Sequence, residues 1–195
     1  MAQAQRSEQL TDRFTYGLYR TWDDDQRWEL MEGEAYCMSP APSLTHQRIL
    51  FELCRQFGNY LKGKPCQAFA APFDVRLPDF PEQADDEIST VLQPDLVIVC
   101  DRSKLDEKGC RGAPDLVVEI LSPGTAGRDL RGKFSLYERH GVREYWVVQP
   151  VDRTLMVFRL TGEGTFGRHE LYAADEQLPA TLLGDLIIEL GEVFA

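Results

Sequence analysis

Two short apolar runs, each carrying an acid, restrict the chain more than any other feature. The first is Pro94-Asp95-Leu96-Val97-Ile98-Val99, and the second is Pro114-Asp115-Leu116-Val117-Val118-Glu119-Ile120-Leu121. Runs this rich in Val, Ile and Leu, opened by proline, read as buried strands. Side chains alternate along a strand, so Asp115, Val117, Glu119 and Leu121 share one face and Leu116, Val118 and Ile120 the other. The second set is core-facing, which aims Glu119 at a partly apolar surface. A carboxylate there is costly to desolvate unless something pairs it. If the two strands adjoin, Asp95 and Glu119 can reach one hard divalent cation, and Lys133 follows on the next segment.

The rest of the sequence supplies a frame for these strands. Arg27-Trp28-Glu29-Leu30-Met31 and Glu34-Ala35-Tyr36-Cys37-Met38, joined at Glu32-Gly33, read as a hairpin. Ser39-Pro40-Ala41-Pro42 breaks the second strand. Ser43 looks like an N-cap, and Ile49, Leu50, Leu53, Phe57, Tyr60 and Leu61 recur at helical spacing, predicting a helix over 43–62 that stops at Gly63. A short helix is expected over 11–21 with Phe14, Leu18 and Tyr19 inward. A second main helix is expected from Arg128 to His140, with Leu130, Phe134 and Tyr137 on one face and Gly141 ending it. Strands are expected at 66–70, 73–77, 95–100, 115–121, 143–149, 153–160, 167–172 and at Leu186–Leu190. An acidic, proline-containing loop fills 78–93. Strands outnumber helices, so the fold class is mixed α/β (α+β), a sheet with helices packed against it. Residues 1–10 form a polar tail, and 11–195 suit a single domain because no linker divides them.

Composition narrows the setting. The 195 residues are 43% hydrophobic and 27% charged, values of an ordinary globular chain, with no apolar stretch as long as a membrane span. The start lacks the apolar core of a signal peptide, so a cytoplasmic protein is expected. The five cysteines, Cys37, Cys54, Cys66, Cys100 and Cys110, are odd in number and lack metal-knuckle spacing; they are read as reduced thiols. Net charge is −11, from 32 acidic against 21 basic residues, which weighs against tight nonspecific nucleic-acid binding.

Each candidate has a plainer alternative. Asp95 can be a strand-start cap, Glu119 half of a buried salt bridge to an arginine, and Lys133 an i,i+4 partner of Asp129. His46, in the first helical turn, can cap or pack rather than contact phosphate or water. Glu34 can be a solvent-facing hairpin carboxylate rather than a third acid at the metal. Arg128 and Arg131 are phosphate-contact candidates against the reading of solvated helix residues. Tyr145 and Trp146 are expected in the core.

The central block resembles the Uma-type putative restriction endonuclease family of the PD-(D/E)XK nuclease superfamily. The resemblance is carried by Pro94–Val99, Pro114–Pro123, Arg128-Asp129, Lys133, Tyr137 and Gly141-Val142-Arg143-Glu144-Tyr145-Trp146. Glu32-Gly33-Glu34, Met38-Ser39-Pro40 and His46 extend it upstream. It implies a restriction-endonuclease-like mixed sheet core flanked by helices. It also implies Mg²⁺-dependent hydrolysis of nucleic-acid phosphodiesters, DNA ahead of RNA, with Mn²⁺ able to substitute. Asp95 and Glu119 would be metal ligands, with Glu34 a further one, and His46 a site residue. The superfamily lysine stands two residues after the strand carboxylate, where this chain has Leu121; Lys133 is the lysine best placed to take that role. A homodimer is attractive because two sites could cut two strands. The competing class is a catalytically inactive nuclease-fold protein acting as an interaction or regulatory subunit. Nucleophilic hydrolysis is set aside, since neither a Gly-x-Ser-x-Gly elbow nor a P-loop is present.

Overall fold

The computed structural model describes residues 13–38, 41–122, 127 and 129–195. The expected tail, the Ser39-Pro40 break, Pro123 to Thr125, Arg128 and the side chains of Asp129 and Leu130 lie outside the described residues.

Both apolar runs are strands, β6 (Leu96–Val99) and β9 (Leu116–Ile120), and every residue of each is buried. They pair antiparallel in the interior of a six-stranded sheet. Parallel to β9 on its other side runs β10 (Glu144–Gln149), followed by β11 (Thr154–Arg159) and β12 (Glu170–Ala173). The far edge beside β6 is β3 (Gln67–Ala70). A second six-stranded sheet contains β1 (Trp28–Met31), β2 (Glu34–Cys37), β4 (Val75–Arg76), β5 (Val91–Leu92), β7 (Leu105–Asp106) and β8 (Gly109–Arg111), in the order β2-β1-β5-β4-β8-β7. The fold is mixed α+β, as the strand count in the sequence implies.

The central sheet is covered on both faces, which is why its strands read as continuous apolar runs rather than strict alternation. On one face Leu96, Ile98, Leu116, Val118, Ile120 and Trp146 pack against Ile49, Leu50, Leu53 and Phe57 of helix α2 (Leu44–Leu61). On the other, Val97, Val99, Val117, Val147 and Tyr145 meet Val75, Leu77 and Leu92 of the second sheet and Leu136 and Tyr137 of helix α3 (Phe134–His140). Tyr145 and Trp146 are both fully buried. Ser43 caps α2, its hydroxyl accepting from the His46 N–H at 3.2 Å. The β1–β2 turn is Glu32-Gly33, both with positive φ (52° and 84°), the backbone geometry of a two-residue hairpin.

Several expectations are corrected. Among the described residues, the helix expected over 11–21 is Tyr16–Tyr19 (α1), residues 11 and 12 lying outside them; Tyr16 is its buried residue and Leu18 is exposed. Tyr16 packs with Leu30, Ile88 and Val91, a satellite cluster that the helical period alone does not register. The segment before α3 is a π-helical turn, Asp129–Lys133. The acidic 78–93 loop is partly structured. Its Asp85 pairs with Arg76, whose side chain is fully buried and also grips both Asp106 oxygens at 2.7 Å. Finally, Cys66 and Cys100 form a disulfide, not two thiols. They are the next cross-strand pair beyond Gln67↔Val99, a proximity set by β3–β6 register and invisible in a separation of 34 residues. Cys37 is exposed, Cys54 half-buried and Cys110 buried.

Candidate active site

The β6–β9 register pairs Leu96 with Val118, so one step outward Asp95 stands opposite Glu119. Both residues lie on the face of the sheet shared by Val97 and Val117, and both line one cavity of about 510 Å³. The mouth and walls of this cavity also include Arg27, Glu29, His46, Gln93 and Lys133. Strand pairing therefore does what the linear sequence only suggests, bringing two acids 24 residues apart into adjacency.

Glu119 is buried, 4% exposed, and its Oε1 accepts from Lys133 Nζ at 2.9 Å and from the Tyr137 hydroxyl at 2.8 Å. Lys133 is equally enclosed, 3% exposed, and also donates to Glu29 Oε1 at 2.8 Å. The N–H of Gln93 donates to that same Glu29 oxygen at 2.9 Å. Burial, then the charges of Glu119 and Glu29, push the Tyr137 hydroxyl well above its ordinary pKa, so it stays a neutral donor. The ammonium of Lys133 thus bridges a carboxylate from each sheet. A buried ion triad of this kind is tolerated only because its lone pairs and protons are met by such close partners.

Asp95 Oδ2 accepts the Ile120 N–H at 2.7 Å and lies 3.2 Å from His46 Nε2. His46 Nδ1 is buried with no protein hydrogen-bond partner. Asp95, Glu119, Lys133 and His46 therefore converge. Glu34 does not join them: it is exposed, receives the Tyr36 hydroxyl at 2.6 Å, and is absent from the cavity wall. Arg131 is exposed, and Arg128 lies outside the described residues. Asp115, the acid of the second Pro-Asp pair, is a structural pin that accepts from Cys100 N at 2.8 Å and Arg143 Nη1 at 3.1 Å.

Glu29 is the residue that sequence reasoning misses. Alternation in Trp28-Glu29-Leu30-Met31 sends Glu29 away from Leu30, a direction that means solvent in a one-sided hairpin. Here it means the space between two sheets, where Glu29 is 2% exposed. The one available signal is a lone acid in an otherwise apolar strand, the same signature that marks Glu119.

The donor set suits a hard cation by its chemistry. Asp95 and Glu119 offer carboxylate oxygens side by side at a cavity wall, and Mg²⁺ accepts one or two carboxylates with water and phosphate oxygens completing its shell. Among the described residues no group of three or more His, Cys, Asp or Glu side chains is arranged to hold an ion. A metal would accordingly be held by these two acids and by solvent or substrate.

Residues 17–190 match the family Uma2, putative restriction endonuclease. An uncharacterized protein of Synechocystis sp. (strain ATCC 27184 / PCC 6803 / Kazusa) is 26% identical over 149 residues, covering 75% of this chain and 74% of its own length. The crystal structure of a putative nuclease belonging to DUF820 from Anabaena variabilis superposes with a TM-score of 0.71 at 19% identity. That superposition covers 90% of this chain and 94% of the other, and it shows a shared fold. No helix among the described residues is long and apolar enough to cross a membrane.

Proposed function

Because the chain belongs to the Uma2 family of putative restriction endonucleases, we propose that it is a metal-dependent endonuclease that hydrolyses phosphodiester bonds of nucleic acid, with DNA as substrate. The observation that carries this reading is the pairing of Asp95 with Glu119 across two central strands, with the Lys133 ammonium 2.9 Å from Glu119 in the same cavity.

Asp95 and Glu119 would hold Mg²⁺, or Mn²⁺ in its place. When bound, the cation would supply Lewis-acid stabilisation of charge on the phosphoryl oxygens and make water a better nucleophile. The remaining work falls to side chains. Lys133 presents a fixed positive charge to the pentavalent phosphorus, where negative charge grows as water attacks. Its tie to Glu29 holds the ammonium in place independently of Glu119. Tyr137, a permanent donor, holds Oε1 of Glu119 beside Lys133. His46, 3.2 Å from Asp95 and on the cavity wall, would help to hold that acid in place.

Incubating the protein with duplex DNA and Mg²⁺ or Mn²⁺ should give cleavage that EDTA stops. Glu119→Ala should reduce the rate at least a hundredfold while leaving a folded protein by circular dichroism. Equal cleavage by both proteins would show that the activity belongs to a contaminant. The net charge of −11 favours a second reading, a nuclease-fold interaction subunit without catalysis. Absence of both divalent-cation binding and cleavage would select it.

A further inference from the structure

The cavity wall holds a second cation whose surroundings differ from those of Lys133. Arg27 sits just before β1 and lines the cavity. Its Nε and Nη2 donate to one oxygen, Oε1 of Gln93, at 3.0 and 2.7 Å. Among the described residues it forms no ion pair, whereas Arg76, Arg139, Arg143 and Arg159 each pair with at least one carboxylate. Gln93 cannot turn its amide around. Its Nε2 donates to Asp74 Oδ1 at 2.9 Å and to the Tyr19 hydroxyl oxygen at 3.1 Å, and a carboxylate can only accept. Asp74 and Tyr19 therefore fix the Gln93 oxygen toward Arg27. The Gln93 main chain is pinned to Glu29, the partner of Lys133.

A guanidinium held by a neutral acceptor keeps its full charge, and two of its five N–H bonds are spent on Gln93. The charged groups around it are Glu29, Asp95 and Glu119 on the cavity wall and Asp74 behind Gln93, against Arg27 and Lys133, with Lys133 already engaged by two of the wall acids. Arg27 is thus the cation of the cavity wall that pairs with no carboxylate among the described residues, and its planar fork matches the oxygens of a phosphodiester. We propose that Arg27, oriented by Gln93, is a substrate-binding residue that grips a backbone phosphate of the nucleic acid next to the scissile one. The assignment rests on the nuclease reading and extends it, by naming the group that holds the strand rather than the groups that cut it.

Phosphate contacts have a thermodynamic signature that structural roles lack. Each one removed makes the dependence of log K on log salt shallower by about 1 on a duplex. The experiment measures binding of a fluorescein-labelled 20-mer duplex DNA in Ca²⁺, chosen to limit turnover, from 50 to 300 mM NaCl, for wild type, Arg27→Gln and Arg27→Lys. Arg27→Gln should bind several-fold more weakly at low salt with a slope shallower by about one contact. Arg27→Lys should recover the slope but not all of the affinity. In Mn²⁺, Arg27→Gln should raise KM more than it lowers kcat. An unchanged slope and affinity in Arg27→Gln, with wild type binding and cleaving normally, overturns the assignment alone. Wild type that neither binds nor cleaves the duplex overturns the nuclease reading and the assignment together.

Discussion

Lys133 is the residue on which the candidate site balances. It pairs with two buried acids at once, so its removal strips Glu29 and Glu119 of the ammonium that joins them. Lys133→Met should destabilise the protein by about 3–5 kcal/mol, the usual consequence of orphaning buried charge. Urea unfolding would measure it. Adding Glu29→Gln to that variant should cost less than the sum of the two single changes, by about 1 kcal/mol or more. Strict additivity would mean the ammonium does not bridge the acids. The sequence made the lysine legible only through its place in the resemblance, because spacing from Asp129 offered an equally good surface pair. Glu29 was marked only as a lone acid in an apolar strand: its burial comes from the second sheet, whose strands β4, β5, β7 and β8 are two or three residues long. Strands that short carry no readable alternation.

Among elements, α2 was the most readable. The expected span 43–62 became Leu44–Leu61, because a capping serine, a regular apolar stripe and a following glycine all agreed. The segment before α3 was less so: a π turn shifts the helical phase in a way that composition does not record. Pairing between strands was the least readable, and the disulfide is its clearest case. Cys66 and Cys100 meet because β3 lies antiparallel to β6 at the sheet edge. In the loop-entropy account, closing a loop with a sequence separation of 34 is worth about 4 kcal/mol. Reduced protein, or the Cys66→Ser/Cys100→Ser double variant, should unfold at correspondingly lower urea than the oxidised form. Coincident transitions would show that the strand pair holds itself without the bond.

At the level of the whole molecule, the excess of negative charge and the proposed chemistry are opposed until a cation arrives. Three carboxylates and two cationic side chains line the cavity, so a divalent ion would turn its local balance positive. Binding to the native state alone would also stabilise it. Mn²⁺ at a hundred times its Kd should add about 2.7 kcal/mol. A thermal melt should move up with Mn²⁺ in the wild type and stay still in Asp95→Asn. The fold class and the two central strands were foreseeable because continuous Val and Leu runs have few other uses. The second sheet was not, because it is assembled from segments distant in sequence and individually too short to declare themselves.

The facing of Asp95 and Glu119 has a final consequence for how the site comes into being. Their neighbourhood is a property of one alignment of the ladder, since sliding either strand by a single position would send one acid to the helix side and the other to the sheet side. No local segment can rehearse this arrangement in isolation. The centre would be born late and whole, when the middle of the sheet locks, and a misaligned chain would be inert rather than indiscriminately destructive.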